Sequence, residues 1–74
     1  MEKHYILFPN YSQGLKLESS LKEEGIKYVI SPTPRKLSTS CGISIMYRKK
    51  DEERIKSIIK GKSIKVEGLF TLDK

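Results

Sequence analysis

The sequence predicts an α+β domain of ferredoxin-like form, a βαββαβ chain folded into a two-layer sandwich with a four-stranded antiparallel sheet and two helices on one face. Three observations point there. Four short runs are rich in branched and aromatic residues or alternate with period two; two intervening stretches carry apolar residues at helical spacing; and Gly and Pro punctuate the joints. Two right-handed split βαβ units of this length close most simply in that way. At 74 residues the chain is long enough for one core only, so residues 1–74 are read as a single domain.

The first run, His4-Tyr5-Ile6-Leu7-Phe8, stops at Pro9-Asn10 and reads as a strand, central because both of its faces are apolar. Ser12 is a plausible N-cap for a helix to Glu24, with Gly14, Leu17, Leu21 and Leu15 as its apolar stripe and Gly25 as its C-cap. Ile26 to Ile30 gives a second strand, closed by Ser31-Pro32-Thr33-Pro34, where two prolines interrupt ladder pairing. Ile43, Ile45 and Tyr47 alternate with Gly42, Ser44 and Met46, as in a strand with one buried face. After Arg48-Lys49-Lys50, Asp51 caps a second helix. Glu52 and Glu53 in its first turn suit the helix dipole, Ile55, Ile58 and Ile59 face inward, and Lys60-Gly61 ends it. Ile64, Val66, Gly68, Phe70 and Leu72 alternate as the last strand.

One stretch serves no evident folding purpose: Pro34-Arg35-Lys36-Leu37-Ser38-Thr39-Ser40-Cys41-Gly42. It holds the only cysteine, with hydroxyl residues and two cations nearby and little apolar cover, conditions that favour the nucleophilic thiolate. In a ferredoxin-like strand order of 4-1-3-2, the start of the third strand lies beside the end of the first. Cys41 is then expected near Pro9-Asn10-Tyr11 and the N-terminus of the first helix, whose free N–H groups also favour an anion.

Composition excludes several classes. One cysteine forms no intrachain disulfide, and Met1-Glu2-Lys3-His4 lacks the order of a signal peptide, so a cytoplasmic protein is expected. The longest apolar run, Tyr5 to Phe8, is too short for a membrane span. His4 and Cys41 are too few ligands for zinc, and no glycine-rich phosphate loop occurs, so neither metal nor cofactor is expected. The net charge of +6 fits a solvated surface, an acidic partner or nucleic acid.

With these residues in place the chain resembles the putative Se/S carrier protein-like family. The likeness runs from Tyr5 to Leu72, through Tyr5-Ile6-Leu7-Phe8, Leu21-Lys22-Glu23-Glu24-Gly25-Ile26, Pro34-Arg35, Ser38, Ser40-Cys41-Gly42 and Glu67-Gly68. Pro-Arg followed at this distance by Cys-Gly is its most specific part, and Leu17, Ser19 and Ser20 depart from the family in the first helix. The resemblance implies traffic in sulfane sulfur or selenium. Cys41 would hold the cargo as a persulfide-type adduct, taken from a cysteine desulfurase-like donor and passed to an acceptor enzyme. Pro34, Arg35, Ser38, Ser40 and Gly42 would form the binding loop. Arg35 favours the anionic adduct, the serines donate hydrogen bonds, and Gly42 clears the approach.

Other readings stand beside this one. Cys41 could be a buried filler or an oxidant sensor. An RNA-recognition domain shares the charge and element order, but Cys41-Gly42-Ile43-Ser44-Ile45-Met46-Tyr47 has isoleucine where stacking rings are needed. An interaction module would use the open sheet face, with Leu69 and Met46, to dock a partner or a second copy as a homodimer.

Overall fold

The fold is described from a computed structural model covering residues 2–37 and 42–73. Its elements are β1 (Glu2–Leu7), α1 (Tyr11–Glu24), β2 (Tyr28–Pro32), β3 (Ile43–Tyr47), a 3₁₀ turn (Lys49–Asp51), α2 (Glu52–Gly61) and β4 (Gly68–Asp73). The strands form one antiparallel sheet in the order β2-β3-β1-β4, the ferredoxin-like arrangement expected from the sequence. The two central strands, β1 and β3, are the most buried ones, each lying between two neighbours.

The main core lies between the sheet and the helices. Ile6, Phe8, Ile45 and Tyr47 come from the sheet, Leu17 and Leu21 from α1, Ile55 from α2, and Ile26 and Ile64 from the connections. Leu17, Leu21 and Ile55 are fully buried, so truncation of any one to alanine costs about 2–5 kcal/mol. In a domain of this size that is most of the available stability. Ser20, on the buried side of α1, satisfies its hydroxyl by donating to the Lys16 carbonyl at 3.1 Å.

Several local expectations are corrected. Asn10, not Ser12, caps α1: its side chain accepts the Gln13 N–H at 3.1 Å, and Ser12 lies inside the helix. Leu15 is exposed and outside the stripe. Gly25 does take the C-cap role, at φ 70°, with Ile26 N–H closing onto the Leu21 carbonyl. β2 starts at Tyr28 and runs through Ser31 and Pro32, which an edge strand tolerates. Asp51 occupies the position before α2 but makes no side-chain cap; its backbone, at φ −97° and ψ 0° after the 3₁₀ turn, is not in the extended conformation that aims a cap side chain at the first helical N–H groups.

The last strand differs most. Ile64 and Val66 pack into the helix-side core but precede β4. The chain then reverses parity: Leu69, paired with Ile6, faces the helices, whereas Gly68, Phe70 and Leu72 lie on the other face, opposite Leu7, Tyr5 and Lys3. Gly68 makes the change possible, with φ 155° and the Phe70 ring where a Cβ would stand, 2.9 Å away.

Candidate functional site

The sheet face without helices is not open. Tyr5, Leu7 and Ser44 point to it, yet none is more than 3% exposed. Their neighbours on that face are Met46, Phe70 and Gly68. Further cover comes from the segment after β2. Its turn, closed by the Leu37 N–H donating to the Pro34 carbonyl at 2.9 Å, brings Pro34, Arg35 and Lys36 into a shallow cavity of about 230 Å³ with Leu72 and Asp73 of β4. Because β2 and β4 are opposite edges of the sheet, the chain leaving β2 lies across this second face. The open-face docking surface expected for an interaction module is therefore corrected on two counts: Leu69 belongs to the helix side, and much of the other face is covered.

The same segment rejoins the sheet beside its point of departure. Thr33 N–H donates to the Gly42 carbonyl at 3.0 Å, which extends the β2–β3 ladder by one pair and forms a neck. Ser44, two residues into β3 from Gly42, is opposite Leu7, and Ile43 shares a small cleft of about 170 Å³ with Tyr11 and Gly14 of α1. The start of β3 thus lies by the end of β1 and the N-terminus of α1, as the strand order implied. One N–H of that helix terminus, Gln13, is already taken by Asn10.

Of the residues singled out in the sequence, Pro34, Arg35 and Gly42 are placed. Ser38, Ser40 and Cys41 lie outside the described residues. Arg35 and Lys36 are exposed, neither makes an ion pair among the described residues, and the Asp73 carboxylate lines the cavity they share. Gly42 is exposed; an added Cβ would meet nothing within 4 Å, and its backbone is not in the left-handed region. Among the described residues, no packing contact requires glycine there.

No group of three or more His, Cys, Asp or Glu side chains among the described residues is placed to hold a metal ion. His4 is a structural residue, its Nδ1 2.9 Å from the Thr71 hydroxyl and its ring 5.6 Å from that of Tyr47. Glu52 is structural too. It accepts hydrogen bonds from Lys49 at 3.0 Å and Tyr47 at 2.8 Å, which hold its carboxyl down to about 2. Burial and the Glu52 hydrogen bond raise the Tyr47 phenol well above its ordinary value. No helix among the described residues is long and apolar enough to cross a membrane.

The family model described as "Putative Se/S carrier protein-like" matches residues 3–71, which include the whole stretch from Pro34 to Gly42. The chain belongs to this family. No curated protein and no solved structure matches it. In this member of the Se/S carrier-like family, sequence reasoning missed Leu72 and Asp73 as neighbours of the Arg35 turn. The apolar character of Tyr5 and Leu7, on one face of β1, was the available signal that the second sheet face needed cover.

Proposed function

We propose that the chain carries a sulfur or selenium atom on Cys41 between a donor and an acceptor protein. The observation that supports this reading is the pair of exposed cations, Arg35 and Lys36, which make no ion pair among the described residues and are held by a defined turn in the segment that contains the only cysteine. Exposed cations close in sequence to a thiol favour its anionic form, here a thiolate or persulfide. Gly42 adds to it, since glycine beside the thiol serves access when the fold does not ask for it.

The chemistry balances with protein thiols alone. Cys41 thiolate attacks the outer sulfur of a donor persulfide, R–S–SH; a new S–S bond forms, the donor S–S bond breaks, and the donor leaves as R–S⁻ with the electron pair. A nucleophile on the acceptor then takes the outer atom of Cys41–S–SH and returns the Cys41 thiolate. Selenium follows the same steps as Cys41–S–SeH. The absence of a second cysteine from the chain suits this, since a neighbouring thiol would resolve the adduct to a disulfide and release the cargo. Arg35 stabilises the anionic adduct, Pro34 sets the turn that holds it, and Ser38 and Ser40 donate hydrogen bonds to the carried atom. Loading by a cysteine desulfurase and free cysteine, with Cys41→Ser as control, tests the proposal.

The RNA-binding reading is disfavoured on physical grounds. A base must stack on exposed rings of the central strands, and Tyr5, the ring on that face of β1, is buried.

A further inference from the structure

Among the described residues the outer edge of β2 is unpaired, and its geometry can be derived from the neck. In an antiparallel ladder, pairs that exchange hydrogen bonds alternate with pairs that do not. Thr33 and Gly42 are a bonded pair, in register with Tyr28–Tyr47 and Pro32–Ile43. It follows that Val29 and Ser31 turn their backbone groups toward β3, whereas Tyr28, Ile30 and Pro32 turn theirs outward. Pro32, which has no N–H, stands at an outward position, where a sheet loses nothing by it. The free edge therefore offers N–H and C=O from Tyr28 and Ile30 and stops at Pro32.

Edge strands in soluble domains are commonly blunted by charge, and this one is only partly so. Val29 is 59% and Ile30 44% exposed, on opposite faces of the strand. Beside them runs an open groove of about 630 Å³ whose lining includes Tyr28, Val29 and Met46 with Lys22, Lys27 and Arg48 around it, and no carboxylate. Lys22 reaches Glu18 only at 4.0 Å, and neither Lys27 nor Arg48 has an ion pair among the described residues.

We propose that this edge docks an extended acidic segment of a partner protein, which adds to the sheet as a fifth strand. Main-chain hydrogen bonds to Tyr28 and Ile30 hold it, apolar side chains at alternate positions cover Val29 and Met46, and carboxylates meet Lys27 and Arg48. Charge selects this occupant over a second copy of the chain, which would bring the same three cations and a net charge of +6 to the groove. The proposal does not depend on the chemistry of Cys41.

Amide hydrogen exchange on the full chain tests it. The probe is a terminally blocked eight-residue peptide in which two glutamates at each end flank a central valine–threonine–valine–threonine run, so that apolar groups meet Val29 and carboxylates reach Lys27 and Arg48 at the strand end, with lysine in place of glutamate in the control peptide. At ten times its Kd the acidic peptide slows exchange about tenfold at the amides of Tyr28 and Ile30. Val29 and Ser31, already bonded within the sheet, change little. Combining Lys27→Glu with Arg48→Glu, both at exposed positions, abolishes that protection and transfers it to the lysine peptide. Unchanged exchange at Tyr28 and Ile30 with millimolar acidic peptide, or equal protection by both peptides, overturns the proposal. Protection that rises with protein concentration without peptide also overturns it and assigns the edge to a second copy.

Discussion

The main-chain N–H of Thr33 donates to the carbonyl of Gly42 at 3.0 Å, so the segment that contains Cys41 leaves and re-enters the sheet at a single point. Cys41 is the residue next to that point in sequence. The neck belongs to the β2–β3 ladder and so shares the rigidity of the sheet, while Pro34, Arg35 and Lys36 are laid over the face that the helices leave uncovered. The turn that lies against Leu72 and Asp73 thus belongs to the loop that bears the proposed chemistry.

The two cations give the first prediction. Replacing Arg35 and Lys36 by glutamine raises the pH at which Cys41 is alkylated half-maximally by iodoacetamide. Both side chains are exposed, so stability in urea changes by less than about 0.5 kcal/mol. An unaltered alkylation profile contradicts the role given to Arg35.

Gly42 separates access from folding. Gly42→Val leaves the urea midpoint nearly unchanged, because an added Cβ meets open space and the backbone is not left-handed. Loading of Cys41 by a protein donor slows in the same variant, while alkylation by small iodoacetamide does not. Equal loading rates for the two proteins would return Gly42 to a neutral position.

Most of the fold was legible because each element carries a local signal. A run of branched and aromatic residues marked β1, periodicity marked α1, β3 and α2, and Gly25 ended α1 as glycine at a C-cap should. What failed were choices between equivalent local signals. Asn10 and Ser12 are both good caps, and only the tertiary path after Pro9 selects Asn10. Ile64, Val66, Gly68, Phe70 and Leu72 keep one parity in sequence, but the strand begins only at Gly68, after the chain has changed faces. Which segment lies against the second face was unreadable, since the contact of Pro34–Lys36 with Leu72 and Asp73 joins distant residues without a periodic signature. Of the site, the placement of Pro34, Arg35 and Gly42 on one loop follows from sequence adjacency; the roles of Ser38, Ser40 and Cys41 rest on chemistry and family membership.

Gly68 is the position where backbone and packing both demand glycine. Gly68→Ala destabilises by about 1–3 kcal/mol in urea unfolding, since alanine is strained at φ 155° and its Cβ meets the Phe70 ring. Adding Phe70→Ala recovers only the steric part. No loss of stability in Gly68→Ala would contradict the parity change described at β4.

The Tyr47–Glu52 pair fixes a pH dependence at each end of the scale. Glu52 is held at about 2 against an ordinary 4.5, so its contribution is complete above pH 4.5 and is lost as pH falls toward 2. Tyr47 is raised above 10.0, so its contribution is complete below pH 10 and is lost as pH rises beyond it. Urea midpoints of Glu52→Gln fall less steeply than the wild type from pH 4.5 to 2, and those of Tyr47→Phe fall less steeply above pH 10. Parallel curves in either range would remove the pair from the account.

The most direct measurement is the intact mass of the wild type and of Cys41→Ser after incubation with a cysteine desulfurase and cysteine, before and after a reductant. The account predicts a gain of one sulfur atom on the wild type that the reductant removes and that Cys41→Ser never shows. A wild-type mass that stays unchanged while its thiol resists alkylation would contradict it and leave Cys41 as a structural residue.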